Sequence, residues 1–209
     1  TLFTLELGKI SARLRGVNNA KAKLKFASQP FCFGVFELVK KGEYFTVTQA
    51  DGVDNFYQLT ANYEVFLEAA YMLKLCNNYI KVGVVSEQLF LSFINLLKAI
   101  TYDNVAADIV VTKFVLEFLH FLGYTLDFNS CSHCEGKMFS GHISVSMGGL
   151  VCDNCFNFNE LGLTKQEFAL LKLINNTVPA KLKNIKVKEK LGADLLKILK
   201  NYLEHMLNN

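Results

Sequence analysis

The 209-residue sequence predicts an α+β protein: a small N-terminal β-barrel, then an α-helical domain with an inserted four-cysteine module. Three observations predict this. Up to about residue 56 the apolar residues form strand-like runs; from about 59 they recur at helical spacing; and residues 128–158 form a loop-rich stretch holding two cysteine pairs. The expected division is 1–56 for the barrel and 57–209 for the helical domain, module included.

The strands come first. LGKISARLRG (7–16) reads as a strand, FCFGVFELV (31–39) is a β-branched and aromatic run, KKG (40–42) is a turn, and EYFTVTQA (43–50) alternates, so 31–50 reads as a hairpin. Apolar residues on both faces of its first strand suit a closed or nearly closed barrel, with Gly8, Gly16, Gly34 and Gly52 spaced as turns and kinks. Helices are expected at Tyr63–Ile80, Glu87–Ile100 and Val105–Leu122. From Ile109 on, the third is polar only at Thr112, Lys113, Glu117 and His120, and residues 113, 117 and 120 fall on one narrow stripe, so most of it should be buried, and Gly123 is placed as its C-cap. After the insert, Thr164 and Glu167 have capping-box spacing, a helix runs to about Thr177, Pro179 ends it, and Leu191–Leu207 is the last helix.

With 51% hydrophobic and 20% charged residues the chain is globular rather than disordered, and two prolines leave no room for Pro-rich linkers. The net charge of +3 does not by itself mark a nucleic-acid binder. The longest charge-free stretch, Met138–Cys152, is rich in Gly and Ser and shorter than the roughly 20 apolar residues of a spanning helix. Glu6 and Lys9 interrupt any signal-peptide pattern, so a cytoplasmic protein without a membrane segment is expected.

The strongest motif is the cysteine quartet. Cys131-Ser-His-Cys134 and Cys152-Asp-Asn-Cys155 stand seventeen residues apart, a C-x2-C-x17-C-x2-C pattern. Two residues between cysteines let a tight turn aim both thiolates at one point, and two such turns complete a tetrahedron around a structural Zn2+. Four protein ligands leave no position for a catalytic water. A redox pair or two disulfides are the competing readings; His133 and His142 lie inside the module as substitute ligands of lower rank. Cys32 and Cys76 sit alone in apolar runs and read as core residues.

Between residues 9 and 25 the cations Lys9, Arg13, Arg15, Lys21, Lys23 and Lys25 occur without an acid among them, and both arginines of the chain are here. Arg suits phosphate with a planar fork, and a run of this kind on one barrel face would form a nucleic-acid groove. Charge alone fits a solvated face equally well. Phe26 and Phe31 border the run and read first as core, second as base-stacking residues. The second basic stretch, Lys181, Lys183, Lys186, Lys188 and Lys190, reads as a solvated linker. No phosphate-cradling Gly-rich loop and no Ser/His/Asp or Cys/His nucleophile pattern is present, which favours binding over catalysis.

Several segments together resemble the RecO family of bacterial DNA repair and recombination mediators. LFTLELGKISARLRG is similar to the family's early strand pair ending in a basic RG; QPF (29–31) and TQAD (48–51) fall where the family has similar segments. KFVLEFLHFLGYTLDFNSC (113–131) resembles its buried helix leading into the first zinc cysteine, GGLVC (148–152) its approach to the second pair, and YLEHML (202–207) its closing helix. The resemblance implies an N-terminal OB-fold, with the family's first strand falling before Thr1, a helical domain and a zinc module. It implies binding of single- and double-stranded DNA, annealing of complementary strands, association with RecR and single-strand binding protein, and help in loading RecA. The DNA contacts it implies map to Lys9, Arg13, Arg15, Lys21, Lys23 and Lys25. A zinc-containing RNA-binding or transcription adaptor, and a thiol oxidoreductase using the CxxC pairs, are the alternatives.

Overall fold

A computed structural model describes residues 1–14, 24–157 and 160–208. The fold is α+β, strands first and helices after, and divides into two compact units, Thr1–Leu91 and Ser92–Asn209.

In the first unit, β1 (Leu2–Thr4) pairs antiparallel with β2 (Gly8–Ile10). One residue, Ser11, separates β2 from β3 (Ala12–Leu14), which leaves the ribbon and pairs in parallel with β5 (Tyr44–Asp54). β4 (Phe33–Lys41) pairs antiparallel with β5 on its other side, giving the order β3-β5-β4. The expected hairpin is therefore present. Its two-residue loop, Gly42-Glu43, puts Gly42 at φ 60, the conformation a tight hairpin asks of its first loop residue. The expectation of two apolar, covered faces on β4 meets a difference: Phe36 and Leu38 are partly covered, but Val35 is 65% exposed and Val39 45%. Ile10, Val47 and Ala50 are the buried apolar side chains of these strands, so the core lies on one side of the sheet.

Helix α1 (Tyr63–Tyr79) starts where the Asn62 side chain accepts the Glu64 and Val65 backbone N–H groups, a cap that satisfies otherwise orphaned donors. Its buried face carries Ala69, Met72, Leu75 and Cys76. Burial pushes the Cys76 thiol up to about 12, as expected of a core cysteine; Cys32 is half-buried and its thiol is raised for the same reason. The end of α1 is tied to β2. Gly8 has φ 64, and a Cβ there would lie 1.9 Å from the Val84 carbonyl oxygen, so only glycine fits. The Gly83 N–H donates to the Lys9 carbonyl at 2.9 Å.

Helix α2 (Glu87–Thr101) spans the unit boundary. The second unit is organised around α3 (Ala107–Phe121), buried from Ile109 to Leu116 and again at Phe118 and Leu119, which packs against α4 (Lys165–Asn176) and α5 (Glu189–Asn208). Each large apolar side chain buried this way contributes roughly 1.5–3 kcal/mol. Gly123 follows the helix as expected: its N–H donates to the His120 carbonyl and the Tyr124 N–H to that of Leu119, closing the last turn. Lys113, expected on a polar stripe, is instead 7% exposed. It is tolerated because its ammonium donates to the Asn175 carbonyl at 2.8 Å and pairs with Glu117 at 3.4 Å, while Glu117 also accepts from Ser92. The capping box at Thr164 and Glu167 is present in both directions. Pro179 opens a 3-10 turn, Pro179–Asn184, rather than a plain linker.

Candidate metal centre and nucleic-acid interface

The insert is a compact module of the second unit. Its hairpin, β6 (His142–Ser144) and β7 (Gly149–Val151), sits between the two cysteine pairs, and Gly148 lies in the connecting turn. The module has more of a core than its composition suggests, since Phe128, Met138, Ile143, Leu150 and Val151 are all buried. Phe128 packs against Phe168 of α4 with ring centres 5.8 Å apart, and the Lys172 ammonium donates to the Phe128 carbonyl at 3.2 Å.

The first pair turns tightly because the Glu135 N–H donates to the Cys131 carbonyl, and the Ser132 N–H ties this turn to Leu150 of β7. In the second pair the Cys155 N–H donates to the Cys152 carbonyl at 3.0 Å. All four Sγ atoms fall within 4.8 Å of one another. Cys134 and Cys152, one from each pair, are 3.9 Å apart, near the edge of about 3.8 Å that a tetrahedron with bonds of about 2.3 Å requires. The four are free thiols, so they are not disulfide-bonded in this structure.

Their electrostatics favour a cation. Burial would raise the Cys131 thiol, but N–H groups of Cys134, Cys152 and His133 point at its sulfur and the Cys134 thiol bonds to it, lowering it to about 6. Cys155 is pushed up to about 12, chiefly by hydrogen bonds with Cys152 and Cys134 that favour its protonated form. One thiolate forms readily and the last with difficulty; a dication accepting all four sulfurs would displace the remaining protons. The cluster is thus able to hold a metal ion, and its all-sulfur donor set is that of a closed structural site.

Neither histidine joins it. The His142 Nδ1 accepts the Leu163 N–H at 3.0 Å, which fixes the neutral ring with its proton on Nε2. That Nε2 meets the Asp153 carboxylate at 2.9 Å, and the ring stacks on Phe156 with centres 3.9 Å apart. Asp153 also accepts from the Ser140 hydroxyl, and these hydrogen bonds, Ser140 first, hold its carboxyl below the usual value. His142 therefore braces the second pair from outside. The His133 side chain is exposed.

Of the six cations expected on the barrel, Arg15, Lys21 and Lys23 lie outside the described residues. Arg13 and Lys25 are exposed, and Lys9 is half-buried. The Lys9 ammonium donates to the Asn77 carbonyl at 2.7 Å, in the last turn of α1, where unpaired carbonyls concentrate negative charge and the helix offers no cation of its own. Arg13 lies over the Tyr44 ring, 5.2 Å from its centre. Parallel pairing of β3 with β5 makes this contact, and Lys40 and Lys41, read in the sequence only as a turn, stand exposed on the same hairpin. Phe26 lies against Gly52 and Phe31 against Phe66, so both phenylalanines pack into the unit.

Residues 1–56 match the family described as Recombination protein O N terminal, and residues 61–209 match Recombination protein O C terminal. The chain belongs to the RecO family. Relatives named DNA repair protein RecO include one from Clostridium perfringens, 27% identical over 94% of this chain and 88% of the relative. One from Pelotomaculum thermopropionicum is 30% identical over 99% of this chain and 81% of the relative, and one from Acetivibrio thermocellus is 28% identical over 99% and 84%. Membership of the RecO family supports a role in DNA repair. Among the described residues no helix is long and apolar enough to cross a membrane.

Proposed function

We propose that this chain is a DNA repair and recombination mediator that binds single- and double-stranded DNA, promotes annealing of complementary strands and, with RecR, helps to load RecA. Single-strand binding protein is a further partner in this reading, and the place of action is the cytoplasm, on the nucleoid. The observation that carries it is the match to both halves of the RecO family along the chain. The exposed cations of the first unit supply the physics. Lys and Arg neutralise backbone phosphates and release counterions with little regard to sequence, and screening two strands on one surface lowers their repulsion. Annealing then follows without a bond changed by the protein. The cysteine module, holding Zn2+, keeps the insert folded and takes no part in chemistry.

The test is fluorescence anisotropy with single-stranded DNA across a salt series, wild type beside Arg13→Ala/Arg15→Ala. If all of Lys9, Arg13, Arg15, Lys21, Lys23 and Lys25 contact phosphate, log K falls against log salt with a slope near about −4. The double mutant should bind more weakly and with a shallower slope. No binding at low salt by wild type would remove the DNA-binding reading. A zinc-containing RNA-binding or transcription adaptor is the second reading, favoured if RNA binds more tightly than single-stranded DNA and RecR does not associate.

A further inference from the structure

We infer that Tyr44 is a base-stacking platform that biases the cationic sheet toward single-stranded over duplex DNA. The inference rests on the DNA-binding reading above and adds a residue and a specificity to it. Tyr44 is the first residue of β5, paired with Lys41 across the Gly42-Glu43 loop, so its backbone is held at the tip of a tight hairpin. The residue is nevertheless 64% exposed. A half-free aromatic on a surface is common; what distinguishes this one is its neighbour.

The Arg13 guanidinium, brought alongside by the parallel β3–β5 pairing, lies 5.2 Å from the ring centre. A cation over one face orients the ring and leaves the other for a second flat group. Arg13 and the cross-strand neighbour Lys41 are exposed on its side of the hairpin and outnumber the one acid of the loop, Glu43; Lys40 stands on the other face, over the Phe45 ring. Exposed cations beside a presented aromatic ring make the combination that holds single strands: phosphates on the cations, a base on the ring, tolerant of sequence because every base has a π face. In a duplex the base faces are stacked on one another, so the ring has nothing to accept and only the cations engage.

The experiment measures binding of the full chain to a thymine homopolymer strand, to the same strand with abasic positions, and to duplex DNA, for wild type, Tyr44→Ala and Tyr44→Phe. Wild type should prefer the thymine strand to the abasic one. Tyr44→Ala should weaken thymine-strand binding by about 5- to 150-fold, the factor expected for one stacked base, and erase the preference. Its slope against salt should be unchanged, since no phosphate contact is lost, and its duplex affinity should match wild type. Tyr44→Phe should retain the preference. Equal wild-type affinity for thymine and abasic strands overturns the inference, as does a preference that survives in Tyr44→Ala; in both cases the DNA-binding reading stands. Failure of wild type to bind any of the three at low salt removes the DNA-binding reading and the inference with it.

Discussion

The cysteine module and the cationic sheet reach their candidate sites by different routes. In the module, four side chains from residues 131 to 155 converge on one point, each held by a turn a few residues long. In the sheet, the cations are spread over a surface, and the neighbours of any one are chosen by strand pairing rather than by position in the chain. Arg13 meets Tyr44 only because β3 runs parallel to β5, and Lys9 is drawn to the end of α1. A convergent site loses everything when one member goes. A distributed surface loses one contact at a time. Each prediction below tests that contrast.

Metal removal should have the largest effect. Small zinc modules draw roughly 10–16 kcal/mol of apparent binding energy from their metal. This insert also buries Phe128, Met138, Ile143, Leu150 and Val151, so the free energy lost should fall below that range while still unfolding the module. The purified protein should carry one zinc per chain, and a thiol reagent should reach four further cysteines only after chelation. Four reactive thiols and no metal before chelation would sink the structural-metal assignment. His142→Ala should cost about 1–3 kcal/mol in denaturant unfolding, because the buried Leu163 N–H loses its acceptor and Asp153 its partner. Zinc content should not change. Loss of zinc in His142→Ala together with its retention in Cys155→Ala would make histidine, not cysteine, the fourth ligand.

The same contrast explains what could be read from the sequence. The cysteine spacing, the Thr164–Glu167 box and the Gly123 cap are local devices, complete within a few residues, and the structure contains each where it was expected. The limits of α1, α2 and α4 fall close to those expected, because long apolar periodicity and caps act within one segment. What stayed hidden depends on distant partners. Nothing near Lys113 announces that the Asn175 carbonyl will receive its ammonium and allow it into the core. Nothing near Tyr44 says that a parallel strand will set Arg13 beside it. The exposure of Val35 and Val39 was hidden too, since an apolar residue on a strand does not state what covers it.

Lys9→Ala separates the two uses of a cation. Its ammonium is engaged with Asn77, so the substitution should cost about 0.5–1.5 kcal/mol of stability, the ordinary value of such a bond. Arg13→Ala should be nearly neutral for stability and reduce the single-strand salt slope by about 0.7, one phosphate contact. A Lys9→Ala variant with unchanged stability and the same loss of slope would place Lys9 on the DNA with Arg13.

The smallest effect concerns acid pH. Glu160, just after the second cysteine pair, accepts hydrogen bonds from the Ser144 and Ser146 hydroxyls, each at 2.6 Å. Burial acts to raise its carboxyl, but these bonds outweigh it and hold the group below the ordinary carboxylate value. A carboxyl lowered in the folded state contributes stability that is complete above the unfolded value of about 4.3 and is lost as pH falls through the folded value. Glu160→Gln removes that contribution at neutral pH and has nothing left to lose in acid. Thermal unfolding of wild type and Glu160→Gln should therefore differ slightly at pH 7, with wild type the more stable, and converge below about pH 4. Any loss of metal on protonation of the cysteines lowers both curves together, so the difference between them isolates Glu160. A gap that stays constant into acid would mean that Glu160 acts through the shape of its hydrogen bonds and not through its charge.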